Sequence, residues 1–391
     1  MDGEFRPFTF RSPRIVFKRN AWKDIPKICE EYGNQGMIVT GSTVISKSGV
    51  YPALMDAFKA QKIVVKEIVR EGGEPTVREA DTLASEARKE KTDWILGIGG
   101  GSSLDLAKAA AGLAKNEGSA AVYQEGKDLA NEGIPFIAVP TTAGTGSDIT
   151  NNAVLINEQK QVKLSIRGDK MIARVAVLDP VLSRSMTPQV TAYTGLDALT
   201  QAIEAYVSKA CNPMTDLLAE RAIEVIWGSL FNAFTNGNDL NAREQMLYGS
   251  LLSALAFSNA KLGAVHGFAH PIGALHGIPH GLICGVLLPH VMRFNLAGNI
   301  YEVTRKYGWI GRKMIGKGAR ESLTDMELAN TAIKCIIDLL ESMRLPTRLS
   351  GLGLKEEDFP AVLDDTKGSS LQNNPRETSR DLLENVLKGA L

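Results

Sequence analysis

The sequence predicts two domains, an α/β domain with a mostly parallel sheet followed by an all-helical domain. Three observations support this. A chain of 391 residues is longer than one hydrophobic core usually organises. Up to Pro180, short β-branched runs alternate with amphipathic helical stretches. Beyond that point the strand pattern gives way to helical spacing, and we place the boundary near Ser183, giving domains 1–183 and 184–391.

Five apolar runs in the first half have the length and composition of buried parallel strands. Helical stretches such as 81–91 and 104–114 lie between the runs, in the βαβ order of a Rossmann-like domain. The opening FTFRSPRIVFK also alternates like a strand, and it could form a hairpin at the sheet edge or across a subunit boundary. The five runs are 37–41, 62–69, 93–101, 135–142 and 174–180.

The second half consists of long stretches whose apolar residues recur at helical spacing, which predicts an all-helical domain. They are 187–208, 214–235, 242–262, 329–343 and 379–387.

The composition narrows the classes of function. The 44 Lys and Arg residues balance the 44 Asp and Glu residues, which argues against binding to nucleic acid or to an anionic membrane. The N-terminus has no apolar signal core, and the four cysteines form no CxxC pair, so neither a zinc knuckle nor a disulfide framework is indicated. We expect a soluble cytoplasmic protein with small-molecule ligands.

A run of three glycines predicts a phosphate cradle. Gly99, Gly100 and Gly101 follow a buried run and open a helix, for which Ser102 or Ser103 is the expected cap. Glycines let the backbone approach a ligand, and the first amides of the helix attract a pyrophosphate. Any tight turn between strand and helix also uses glycine, so this motif is weak alone. Further along this helix, Asp105 and Lys108 either solvate its face or contact the ligand.

The next strand strengthens the prediction because it ends in PTTAGTGSD, rich in small hydroxylated residues. Ligands of α/β folds bind at the carboxyl ends of parallel strands, and two such loops on adjacent strands indicate a dinucleotide. The spacing is not GxGxxG, so the domain is a Rossmann-like variant. The candidate cofactor-binding side chains here are Thr141, Thr142, Thr145 and Ser147.

The residues after the first main strand bear on the choice between NAD and NADP. Folds selective for NAD usually place an acid where it holds the ribose 2′-hydroxyl and repels a 2′-phosphate. Gly41 and Ser42 stand after this strand instead. The sequence therefore favours NADP while permitting NAD.

All five histidines fall between His266 and His290, and this clustering indicates a site that handles a metal or a proton. Upstream, Asp197 and Gln201 lie four residues apart on one helix face, and with His266 and His280 from other helices they could form a four-ligand site. The alternative is a set of core histidines packed against neighbouring helices.

Several segments together resemble the iron-containing, or group III, alcohol dehydrogenases: GGGSSLDLAK, PTTAGTGSD, GLDALTQAIEAYVS and VHGFAHPIGALHGIPHG. The resemblance covers nearly the whole chain. It implies a dehydroquinate synthase-like architecture with the active site between the domains, a homodimer or larger oligomer, and NAD(P)-dependent hydride transfer to or from a small alcohol, aldehyde or ketone, assisted by a divalent metal such as Fe, Zn or Mn.

The resemblance assigns roles by position. Asp197, Gln201, His266 and His280 match the metal ligands, and His270 matches a histidine near the nicotinamide that relays a proton. The family has His where this chain has Gln201, and an amide oxygen is a harder, weaker donor, which shifts preference towards Mn²⁺ or Mg²⁺ and leaves metal occupancy open. The matched cofactor contacts are Gly100, Gly101, Ser102, Thr141, Thr142, Thr145 and Lys163.

His276 is a second candidate catalytic residue. It could supply a substitute imidazole for the missing ligand or simply line the pocket. The last of the five histidines, His290, is expected to be a structural helix residue.

Two other functions remain open at this point. A lyase of the dehydroquinate synthase type shares the architecture, but it needs a Lys and Arg cluster for an anionic substrate, and the segments around the histidines are poor in both. A silent binding homologue that has lost its metal would keep the fold without the reaction.

Overall fold

The structure, a computed structural model, describes residues 7–42, 49–160, 162–316 and 322–391. The chain separates into two compact units. The sheet unit comprises Ser12–Thr187 and Gly237–Leu247, and the helical unit includes Pro188–Asn236 and Tyr248–Leu391.

A six-stranded sheet organises the sheet unit, with strand order β1-β8-β5-β4-β2-β3 and all neighbours parallel. This confirms the expected parallel α/β fold. The strands are β1 (Arg14–Phe17), β2 (Gln35–Gly41), β3 (Val64–Arg70), β4 (Trp94–Gly99), β5 (Phe136–Pro140), β6 (Asn152–Asn157), β7 (Val162–Arg167) and β8 (Val175–Leu178), of which β6 and β7 form a separate antiparallel pair.

The N-terminal run forms an edge strand and not a hairpin. β1 pairs in parallel with β8, with Arg14 opposite Val175, so its partner lies about 160 residues along the chain. The prediction of a hairpin at this edge is therefore wrong. The hairpin that does form, β6 with β7, had no counterpart among the predicted strands.

Helices cover both faces of the sheet. They are α1 (Ile25–Glu30), α2 (Tyr51–Ala60), α3 (Val77–Lys89), α4 (Gly101–Leu113) and α5 (Ala120–Gln124). Successive residues of β4 point to opposite faces, so Ile95 joins one hydrophobic core while Trp94 and Leu96 join the other. The cap of α4 is Gly100, with no side-chain hydrogen bond, so the prediction of a serine cap is wrong.

The helical unit contains no strand among its described residues. Its helices are α6 (Pro188–Val207), α7 (Pro213–Thr235), α8 (Leu240–Ala260, which begins within the sheet unit's 237–247 segment), α9 (Ala264–His276), α10 (His280–Leu296), α11 (Tyr301–Ile315), α12 (Asp325–Ser342), α13 (Phe359–Asp365), α14 (Ser369–Asn373) and α15 (Arg380–Ala390). Within the described ranges, none of the helices has the length and apolarity needed to cross a bilayer.

Candidate metal and cofactor sites

Four potential metal ligands meet inside the helical unit. Asp197 comes from α6, His266 from α9, and His280 and Cys284 from α10, and one ligand atom of each lies within 4.8 Å of the other three. His266 Nε2 is 3.3 Å from Asp197 Oδ1, and His280 Nε2 is 3.8 Å from the same oxygen. The Cys284 Sγ is 3.6 Å from His280 Nε2 and 3.9 Å from His266 Nε2.

Two glycines on α10 let α6 come close enough to form this cluster. A Cβ on Gly281 would lie 2.7 Å from the carbonyl carbon of Tyr193, and a Cβ on Gly285 would lie 2.8 Å from Leu196 Cδ1. Larger residues at these positions would push the helices apart. Because the glycines alternate with the donors His280 and Cys284 along α10, the same helix face sets the spacing and presents the ligands.

Glu204 orients the His266 ring. Its Oε2 lies 2.6 Å from His266 Nδ1, and its Oε1 accepts the Val265 N–H at 2.7 Å. When a metal ion binds, a proton on Nδ1 that is donated to Glu204 would leave the Nε2 lone pair for the ion, the arrangement found when a carboxylate supports a metal-binding histidine. Glu204 was not among the predicted residues, although its position seven residues after Asp197 places both on one face of α6.

The buried charges of the cluster hold one another in the ionised form. Burial by itself would raise the pKa of Asp197, but the hydrogen bond from His266 and the charge of His280 keep that pKa below its usual value. Burial also opposes ionisation of Cys284, yet the two imidazoles lower the pKa of its thiol. Burial would lower the pKa of both imidazoles, and the neighbouring anions raise it instead. The cluster is thus built to hold positive charge between two anions.

Gln201 lies one helical turn beyond Asp197 and is buried, and its amide hydrogen bond helps to keep the Asp197 pKa low. Within the described part of the chain, its Oε1 is buried and has no hydrogen-bond partner. An unsatisfied buried carbonyl is costly, and a bound cation would satisfy it. The carboxylate, the two imidazoles, the thiol and this amide oxygen therefore fit a divalent metal ion.

In the sheet unit, the carboxyl ends of β2, β4 and β5 bring the predicted cofactor residues together. A Cβ on Gly101 would lie 3.0 Å from Thr145 Oγ1, one on Gly100 3.5 Å from Thr142 Cγ2, and one on Gly41 3.8 Å from Ser103 Oγ. The Thr141 N–H donates to the Gly99 carbonyl at 2.9 Å. The Ser103 and Leu104 amides donate to the Gly100 carbonyl, which leaves the first two amides of α4 for a ligand. This small-residue cradle therefore fits the diphosphate of a dinucleotide.

Two family models together match most of the chain. The model described as iron-containing alcohol dehydrogenase matches residues 12–180, and the C-terminal model of the Fe-containing alcohol dehydrogenase family matches residues 191–391. The chain belongs to the iron-containing alcohol dehydrogenase family. This confirms the expected NAD(P)-dependent alcohol dehydrogenase activity.

Individual relatives of this alcohol dehydrogenase match over almost their full length. A 1,3-propanediol dehydrogenase of Citrobacter freundii is 35% identical over 392 aligned positions, covering 99% of each chain. An NADPH-dependent butanol dehydrogenase of Clostridium saccharobutylicum is 33% identical over 367 positions, covering 91% of each. The solved structure of an alcohol dehydrogenase from Oenococcus oeni has a TM-score of 0.92 at 30% identity, covering 98% of this chain and 100% of that one.

The remaining histidines of this alcohol dehydrogenase occupy three different settings. The His270 ring is exposed and lies 5.1 Å from the His280 ring, beside the metal-ligand cluster. His276 Nε2 lies 3.1 Å from Asp358, which argues against the hypothesis that this ring replaces the missing ligand. His290 contacts the Thr347 carbonyl at 3.2 Å, as a structural helix residue would.

Two predicted cofactor residues make contacts within the protein. The Ser147 hydroxyl is buried and donates to Asp105 at 2.5 Å, while Lys108 lies 3.3 Å from the same hydroxyl. Lys163 pairs with Glu74 at 2.8 Å. Ser147 therefore supports the shape of its loop in this alcohol dehydrogenase, and Lys163 has a carboxylate partner that a cofactor would have to share or displace.

Asp105 and Lys108 do not solvate the face of α4, so that alternative of the prediction is wrong. Lys108 is fully buried, and its ammonium also donates to the Asn152 carbonyl at 2.7 Å. Asp105 accepts the Val154 N–H at 3.0 Å. Together they join α4 to the chain that follows β5.

Proposed function

We propose that this chain reversibly transfers hydride between NADP(H) and a small alcohol or aldehyde, using a divalent metal held by Asp197, Gln201, His266 and His280. The observation that carries the proposal is the convergence of buried anionic and imidazole donors from three helices at one point. When bound, the metal polarises the substrate oxygen and the nicotinamide supplies or accepts the hydride.

Within this proposal, each residue of the site has a defined task. Glu204 fixes the tautomer of His266, so that the Nε2 lone pair remains available to bind the metal. His270 exchanges the proton with the substrate oxygen, a role supported by its exposed ring beside that of His280. The buried amide of Gln201 holds Asp197 and leaves its oxygen available to the cation.

The proposed preference for NADP rests on the end of β2. Gly41 offers no carboxylate that would repel a 2′-phosphate, and Ser42 follows it with a hydroxyl. The relative from Clostridium saccharobutylicum is described as NADPH-dependent, in keeping with this preference. The cradle of Gly99, Gly100, Gly101 and Ser102 with Thr141, Thr142 and Thr145 would hold the diphosphate.

We also propose a cytosolic homodimer or larger assembly. The four cysteines are free thiols, as expected in a reducing compartment. Met214 and Leu217, three residues apart on α7, expose 45% and 67% of their surface, which would suit a subunit contact. Light scattering on the purified protein would show at least two chains of 42.2 kDa per particle, and a monomer would contradict this.

The central test is a panel of small aldehydes and alcohols with NADPH and NADH, with and without Zn²⁺, Fe²⁺ and Mn²⁺. We expect His270→Ala to lower kcat by about a hundredfold with little change in the KM for NADPH. Asp197→Ala should lower kcat at least as much and reduce metal content. The matched control is His290→Ala, which removes a histidine that contacts the Thr347 carbonyl and lies outside the donor cluster. Equal kcat in the His270 and His290 variants would refute the role of His270, and no turnover with any pair would favour a silent homologue.

A further inference from the structure

A thiol lies among the metal donors where the sequence predicted none. Cys284 is fully buried on α10, one turn after His280, and its Sγ contacts the Nε2 atoms of both His280 and His266. Cys29, by contrast, is buried in a hydrophobic core of the sheet unit, and Cys335 is half-buried on α12.

Four of the six distances between donor atoms lie within about 0.5 Å of those that a tetrahedral zinc ion requires. With bonds of about 2.0–2.1 Å to N or O and about 2.3 Å to S, tetrahedral angles put two N or O donors about 3.3 Å apart and an S and N pair about 3.6 Å apart. The observed separations are 3.3 and 3.8 Å for the oxygen and nitrogen pairs. Those for the sulfur and nitrogen pairs are 3.6 and 3.9 Å.

The amide of Gln201 is a poor substitute for the imidazole that the family has at this position, since it is neutral and a weaker donor. A thiolate is both anionic and a soft donor that zinc prefers. Asp197 with a thiolate also supplies two negative charges, enough to balance a divalent ion in a buried site.

We propose that Cys284 is a metal ligand that compensates for Gln201, so that Asp197, His266, His280 and Cys284 form a zinc-selective site. This rests on the metal-dependent function proposed above, in which the substrate oxygen would bind the ion as a fifth ligand. Gln201 then positions Asp197 and is not an essential ligand. The preference for Mn²⁺ or Mg²⁺, expected from Gln201 alone, is reversed.

The test is a titration of metal-free full-length protein with Co²⁺, followed by absorption, and with Zn²⁺ against a chromophoric chelator. Wild type should bind one ion per chain and show the near-ultraviolet charge-transfer band of a cobalt thiolate. Cys284→Ser should lose this band and bind Zn²⁺ at least about tenfold more weakly, with less change for Mn²⁺. Cys335→Ser is the matched control and should behave as wild type.

X-ray absorption of the zinc-loaded wild type gives the same information without a variant, because a Zn–S distance of about 2.3 Å identifies the thiolate. A wild type that binds the ion without a sulfur signal, or a Cys284→Ser protein that retains the cobalt band and the zinc affinity, would overturn the role of Cys284 and leave the metal-dependent function intact. A wild type that binds no divalent ion would overturn both.

Discussion

Replacing Gly281 by Ala should separate α6 from α10 and disrupt the donor cluster. The added Cβ would lie 2.7 Å from the Tyr193 carbonyl carbon and 3.1 Å from Asp197 Cβ. Carbon atoms pack at about 3.5 Å or more, and the Tyr193 carbonyl oxygen is closer still to the added Cβ, so the helices must separate by at least about 0.8 Å at this point. Overpacking of this kind costs about 1–3 kcal/mol of unfolding free energy.

The same movement draws Asp197 away from His266 and His280, whose Nε2 atoms now lie 3.3 and 3.8 Å from its Oδ1. Metal bonds tolerate only a few tenths of an ångström, so we expect zinc affinity to fall at least tenfold, about 1.4 kcal/mol. Urea unfolding of the metal-free protein measures the first effect, and competition with a chelator measures the second.

Gly228→Ala, on α7, provides the control, because a Cβ there meets nothing within 4 Å. Helix propensity predicts that it leaves stability unchanged or raises it by up to about 1 kcal/mol, with zinc affinity as in wild type. The reasoning is refuted if Gly281→Ala matches Gly228→Ala in both measurements.

Three further changes test other parts of the molecule. Gly41→Asp should weaken NADPH binding at least about tenfold in a fluorescence titration and spare NADH, since the carboxylate would repel only the 2′-phosphate; equal losses for both would contradict the assignment. Glu204→Gln should reduce zinc affinity by about 10–100-fold in the chelator assay with little change in fold, and unchanged affinity would show that His266 needs no such support. Lys108→Met should lower the free energy of unfolding by about 3 kcal/mol near neutral pH, as measured in urea, because it leaves the buried carboxylates of Asp105 and Asp148 without the cation that stabilises them. Burial raises the pKa of Asp148 to about 6, so the folded state binds that proton more tightly than the unfolded state and stability falls as pH rises from 3.8 through 6. Loss of the Lys108 ammonium makes this fall in stability with pH steeper. The difference in unfolding free energy between wild type and Lys108→Met should therefore become smaller towards about pH 5, and a difference independent of pH would count against this account.

Much of the fold could be predicted because local periodicity carries it. The buried runs of β2, β4 and β5 and the amphipathic spacing of α12 and α15 are visible within single segments. The partner of β1 is β8, and this pairing joins segments that are far apart in the sequence, which no local pattern encodes. The β6–β7 pair could have been predicted, because β6 contains the apolar run AVLI and β7 alternates apolar and polar residues in VKLSIR.

The metal cluster was only partly predictable for a related reason. The histidines stand out by their density, and Asp197 by its helix spacing. Cys284 was overlooked because metal-binding cysteines were sought as CxxC pairs, whereas here a single thiol completes a set from distant segments. His276 was left open as either a substitute ligand or a pocket-lining residue, because its partner Asp358 is 82 residues away and no local pattern encodes that contact.

The six residues from His280 to Gly285 supply both metal donors and the glycines that contact α6. The segment is therefore intolerant of changes in length. Each helical residue advances by about 100° around the axis. Deleting a single residue between His280 and Cys284 would therefore swing the sulfur to another side of α10 and turn a bulky neighbour into the crossing with α6. Natural variation within this segment should proceed by substitution, with insertions and deletions confined to the turn at Gly277–Pro279 that precedes it.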